Sequence, residues 1–187
     1  LLEDGFRTVD LSATSPDHAV SLDPFSIERI EVIRGPAVLI YSPVTIGGVV
    51  NSIRREINGD FSHSIEGNIG IYGESSNKGL LGSGLLKIPL GDFLGRFEFS
   101  RRSTDDLKSP VGTLKNSASG LSNGAFSLSH KFSSGYTGIS LRDFSLDYGI
   151  PGGFVGAHPD GVHIRMFRRV YSGLYSISPQ SKYINNI

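Results

Sequence analysis

From about residue 62 onward, apolar and polar residues alternate with a period of two, in segments of roughly ten residues. That period suits a strand, which sends successive side chains to opposite faces, and gives each segment one oily and one wet side. In 64–73, Ile65, Gly67, Ile69, Ile71 and Gly73 share one face, and Glu66, Asn68, Gly70 and Tyr72 the other. The next segment sets Leu80, Gly82, Gly84, Leu86, Ile88 and Leu90 against Ser83 and Lys87, with Leu81 and Leu85 beside them. In "FLGRFEFSRR", Phe93, Phe97 and Phe99 oppose Arg96, Glu98, Ser100 and Arg102. In 123–132, Phe126, Leu128 and Phe132 oppose Asn123, Ser127, Ser129 and Lys131. Segments 136–146 and 162–178 also read as strands, each changing face partway, as a bulge would cause.

The connections alternate in length. "GD" at 91–92 and "SSG" at 133–135 are tight hairpin turns, whereas 103–121 and 147–161 read as long loops. If the first strand leaves the preceding region, both tight turns fall at the near end of the sheet. The longer connections, beginning with 74–78, then fall at the far end. Outer-membrane barrels have this asymmetry, and their walls alternate between a lipid side and a wet side. A soluble β-sandwich also alternates, so the rhythm alone leaves both open.

Before residue 57 the rhythm differs. Short apolar runs are broken by turn chemistry, as in "EDGF" and "SLDPFSIERIEVIRGP", the pattern of a small α+β unit. Asp23 before Pro24 predicts a capped helical turn, followed by a strand at 29–34 that Pro36 ends. The predicted domains are 1–57 and 58–187. Eighteen basic and eighteen acidic residues cancel, so no net field favours a nucleic acid. There is no cysteine, which removes disulfides, thiolate catalysis and cysteine zinc sites. Residue 1 is Leu and the single methionine is Met166, so the chain is expected to be a piece of a longer protein.

One stretch is long and uncharged enough to raise a transmembrane helix: "IERIEVIRGPAVLIYSPVTIGGVVN", residues 27–51, has no charge after Arg34. Pro36 and Pro43 would each remove a helical hydrogen bond, and Gly47 and Gly48 add backbone freedom, so a helical span is not expected. The segment closely resembles the end of the plug domain of TonB-dependent outer-membrane receptors, whose usual form is "IERIEVLRGPASALYGSGAIGGVVN". "DGFR" at 4–7 and "SLDP" at 21–24 extend the resemblance. The usual "YGS" is "YSP" here, with Ser42 and Pro43 after Tyr41. A serine where the family has glycine would be strained if that position needs positive φ.

The resemblance implies an α+β plug remnant (the C-terminal part of the plug) followed by an antiparallel transmembrane β-barrel, incomplete, with about six of about 22 strands. Its motif residues are Arg34, Gly35, Pro36, Gly47, Gly48 and Asn51. In the family the arginine of "RGP" pairs with glutamates of the inner barrel wall. Those glutamates are expected beyond residue 187. Arg34 would then be either a latch or a fixture of plug orientation. Gly47 and Gly48 would let the chain turn and pack closely into "VVNSI".

Signals for catalysis are weaker. "GLSNG" at 120–124 fits G-x-S-x-G around Ser122, but an elbow needs a strand before it and a helix after it. "GSGLLK" at 82–87 lacks a following helix to present amides to a phosphate. His158, Asp160 and His163 are weak metal-ligand candidates and read mainly as solvated loop residues.

By resemblance, the expected function is active uptake of a scarce ligand at the bacterial outer membrane, by default a ferric siderophore. Haem, cobalamin, another metal or an oligosaccharide are alternatives. The implied partners are the TonB energy-coupling complex and outer-membrane lipid, with no resident cofactor. The coupling box that TonB grips is not in this sequence. A passive porin or adhesin and a secreted β-sandwich hydrolase are the rival classes.

Overall fold

The computed structural model describes residues 1–8, 18, 20–41, 47–153 and 158–178. The chain folds as two compact units, Leu1–Arg55 and Glu56–Ile187.

The first unit is a four-stranded mixed sheet. Its strands are β1 (Leu2–Glu3), β2 (Phe6–Arg7), β3 (Arg29–Ile33) and β4 (Val49–Ile53), in the order β2-β1-β4-β3. β1 and β2 form a hairpin through Asp4 and Gly5, both with positive φ, as a two-residue turn matching strand twist requires. β1 runs parallel to β4, and β3 antiparallel to it. The capped turn predicted at Asp23 is present: Pro24–Ser26 is a 3-10 turn, and the Asp23 carboxylate accepts the Phe25 N–H at 3.1 Å. β3 ends at Ile33, and Gly35–Ile40 is a second 3-10 segment with Pro36 in its first turn. Leu2, Val38 and Val49 form the small core, with Ile33 against it. Among the described residues no helix is long and apolar enough to cross a membrane.

The second unit is an antiparallel sheet of six long strands. These are β5 (Glu66–Glu74), β6 (Gly79–Leu90), β7 (Phe93–Thr104), β10 (Ser119–Phe132), β11 (Gly135–Ile150) and β12 (Val162–Ile177). They pair in chain order, and the hairpin β8 (Leu107–Ser109) with β9 (Gly112–Leu114) stands between β7 and β10. Among the described residues β5 and β12 are edge strands, so the sheet is open. Pro89, in β6, sits just past the last β5 pair, Glu66 with Lys87, where its missing N–H leaves no neighbouring carbonyl unpaired.

Two expectations change here. The regions 103–121 and 147–161 are not wholly loops, since β7 runs to Thr104, β10 starts at Ser119 and β11 runs to Ile150. Nor is there a bulge in β11 or β12: Gly135 to Ile150 pairs residue for residue with Ile177 to Val162. The face change has another cause. Near the tight turns, the side of β11 that carries Ile139 and Leu141 is apolar. Farther along, that same side carries Asp143 and Asp147, while Phe144, Leu146 and Tyr148 on the other side join a buried cluster with Leu121. The apolar side reverses while the register stays fixed.

Candidate functional site

The two faces of the six-stranded sheet differ in chemistry. Directly paired residues share a face. One face carries Leu86, Phe97 and Phe126 in register, with Ile69, Ile71, Leu90, Phe93, Phe99, Ile139, Tyr171 and Tyr175, all exposed. Rings meet along it: Phe97 and Phe126 lie 5.0 Å apart, Phe93 and His130 4.5 Å, and Phe132 stacks on Tyr175 at 5.5 Å. The ring of Phe99 covers Gly84, where an added Cβ would lie 2.4 Å from it. Glycine admits the aromatic side chain from the neighbouring strand. Toward the end away from the tight turns this face becomes charged, with Arg169 donating to Asp143 at 2.6 and 2.8 Å and Arg165 donating to Asp147 at 2.8 Å.

The opposite face holds a buried ionic network. Arg142, from the middle of β11, has a side chain only 1% exposed. Its guanidinium donates to the Glu56 carboxylate, to Glu98 at 3.2 Å and to the Asn123 side-chain oxygen at 2.5 Å. Glu98 also receives Arg96 at 2.6 Å and the Asn123 amide at 3.4 Å. Two arginines and two carboxylates thus balance. Buried charge of this kind is tolerated only with such pairing. The sequence put Arg96 and Glu98 on the polar face, but joining them to Arg142 and Glu56 needed strand registers that no local pattern supplies.

At the end away from the tight turns, the connections are tied together. Backbone bonds link Asp105 to Asn77 and Lys108 to Ser76, each at 2.8 Å. The Asn116 amide bonds the carbonyls of Ile150 and Val162, at 2.8 and 3.1 Å. Asp106 organises the 105–118 connection: its carboxylate accepts the N–H groups of Ser117 and Ala118 at 2.8 and 2.9 Å. Those bonds, led by Ser117, hold its pKa below the ordinary 3.8. A depressed folded-state pKa means stabilisation is present above the unfolded value and is lost as pH falls through the folded one. The amide protons of Ser117 and Ala118 are therefore expected to titrate together with a midpoint below 3.8, as read by NMR. A midpoint at or above that value would contradict the assignment.

The residues singled out in sequence take these positions. Arg34 is exposed, extended at φ −129°, and makes no ion pair within its unit among the described residues. Gly35 has φ +72° and Gly47 φ +95°, conformations that disfavour any side chain. A Cβ on Gly48 would stand 3.2 Å from the Ile33 carbonyl, where β4 meets β3. Pro36 lies in the 3-10 segment, and Ser42 and Pro43 lie outside the described residues. Asn51 is buried. Its oxygen accepts the Gly5 N–H at 3.0 Å and its amide donates to Glu31 at 3.1 Å, tying the β1–β2 turn to β3. Glu31, left without a partner in the sequence, also receives Arg29 at 2.7 Å. That bond, then Asn51, lowers its pKa.

The weak metal candidates do not assemble. His163 is in β12 and pairs with Asp147 at 2.5 Å. Among the described residues there is no group of three or more such side chains placed to hold a metal. Ser122 sits inside the continuous strand β10 and 82–87 inside β6, so neither has the strand-to-helix turn its motif requires.

The chain thus combines a small mixed sheet with a long antiparallel meander that is apolar on one face and ionic on the other. Residues 1–49 match the family model described as TonB-dependent Receptor Plug Domain. The match lies within the first unit, so residues 1–49 are similar to the plug domain of TonB-dependent receptors.

Proposed function

We propose that this chain is part of an active importer of the bacterial outer membrane, with the six-stranded sheet as one arc of a barrel wall of about 22 strands. The observation that carries the reading is the plug match followed at once by an amphipathic antiparallel sheet. Its exposed aromatic face would meet lipid, and its ionic face would line the barrel interior. The tight turns would then be periplasmic and the tied connections extracellular. Edge strands β5 and β12 would be paired by the remaining wall strands.

On this reading the TonB complex supplies energy by pulling on the plug, and the protein performs no covalent chemistry. The proposed cargo is a ferric siderophore, by resemblance to the receptor class, with haem, cobalamin, another metal or an oligosaccharide as alternatives. Retention of radiolabelled ferric siderophore by the full receptor tests the cargo, with cobalamin and haem as competitors. Displacement by either competitor would reassign it. A passive porin would conduct ions in a planar bilayer, whereas a plugged receptor is expected to be nearly silent.

Arg34 is proposed as a latch of the plug. In the full receptor Arg34→Ala is expected to lower uptake by about 2- to 30-fold, the span of a coupling of about 0.5–2 kcal/mol, while ligand binding changes less. Equal losses in uptake and binding would assign Arg34 to folding or to the binding site.

A further inference from the structure

We propose that residues 56–61 form a fixed anchor on the ionic face of the sheet, so that displacement of the first unit stops at Arg55. This inference rests on the reading of the first unit as a plug that is pulled. The segment is held at several independent points, all within the second unit. The Glu56 carboxylate lies in the buried network with Arg142, and the Glu56 carbonyl accepts the Ser127 hydroxyl at 2.6 Å. Ile57 lies over Gly138, which leaves it room: a Cβ there would be 2.5 Å from the Ile57 side chain. Gly59 lies under the ring of Tyr136, 2.5 Å from where its own Cβ would stand, so glycine is required for that approach. Phe61 meets Tyr136 edge to face at 6.3 Å, with the Lys131 ammonium 6.0 Å above the Phe61 ring.

The residue before this segment has the opposite character. Arg55 has φ +47°, an uncommon conformation for a side chain other than glycine, and its side chain is 54% exposed. A strained, exposed residue beside a strongly held one makes a boundary where force on the chain from its N-terminal side would cease to propagate. Local opening follows the least protected segments first, and a buried charge pair is expensive to separate. The anchor therefore lets the first unit yield while the sheet keeps its structure.

Single-molecule pulling from residue 1 of the full receptor, held in an outer-membrane patch, tests this. In the unaltered protein, extension of the first unit is expected to end at Arg55. Glu56→Gln leaves Arg142 its bonds to Glu98 and Asn123, so the sheet persists while the charged tie is lost. At the same force, extension should then continue by about 35 Å, the reach of the ten residues between Arg55 and β5. Tyr136→Ala, which removes the ring over Gly59, should release part of the same length. Identical end points in the unaltered protein and both variants would overturn the anchor while leaving the plug reading intact. A first unit that resists until strands are extracted from the sheet would overturn both.

Discussion

Replacing Arg142 by methionine is expected to destabilise the six-stranded sheet by about 3–5 kcal/mol, the usual cost of removing one partner from a buried pair. The arginine side chain is 1% exposed, and two carboxylates, Glu56 and Glu98, converge on it. Without the guanidinium, Glu56 loses its ion pair with Arg142, and Glu98 keeps Arg96 and the Asn123 amide. Arg169→Met is the matched comparison. Its bond to Asp143 is as short, at 2.6 Å, but the two side chains are 47% and 43% exposed. Solvent screens such a pair, so the loss is expected to stay at or below about 1 kcal/mol. Urea unfolding of the bilayer-reconstituted receptor, followed by tyrosine fluorescence, compares the two. Equal midpoints would mean that water reaches Arg142 and that the ionic face is not closed.

Phe97→Arg is expected to cost about 2–4 kcal/mol in a bilayer, the penalty for an arginine on a lipid face near mid-depth. Phe97 stands in the aromatic band, in register with Leu86 and Phe126. Ser145→Arg lies on the same face but beyond that band, between Asp143 and Asp147, and should cost about 0–1 kcal/mol. The difference depends on the surroundings, because 46% of Phe97 is exposed and an arginine could extend freely into water. In detergent-free bilayers the gap should appear in the unfolding midpoint. Equal small effects at both positions would place the aromatic face in water.

Much of the fold was legible because the sheet depends on local alternation. The near halves of the strands keep one environment per face, so Phe93, Phe97 and Phe99 against Arg96 and Glu98 could be sorted without coordinates. The reading faltered where the environment itself changes along a strand. In β11, Leu141 and Asp143 occupy one face and Arg142 and Phe144 the other, and the reversal looks like a slipped register to any rule that assumes a constant oily side. The turn at Asp23–Pro24 was readable because capping needs only adjacent residues.

The ionic network was not legible as a network, since its members are separated by up to 86 positions. The signal available was weaker: Glu98 and Arg142 are charged residues at polar-face positions of separate strands. Their meeting follows from the pairing of Ala125 with both Glu98 and Arg142, which brings the two onto one row of the sheet. Asn51 illustrates the same limit in the first unit. Its place in "VVN" was clear, but its bonds to Gly5 and Glu31 depend on β4 lying between β1 and β3.

The central claim is that the aromatic face of the sheet meets hydrocarbon while the opposite face is enclosed by protein. Nitroxide labels placed singly through β7 and β11 of the full receptor in a bilayer test it, because dissolved oxygen concentrates in lipid and a nickel chelate stays in water. The account predicts high oxygen accessibility at 97, 99, 139 and 141, a change to nickel accessibility at 143 and 147, and immobile labels reached by neither reagent at 98 and 142. Immobile, inaccessible labels at 97, 99 and 139 would instead show that face covered by another layer of protein, and would contradict the account.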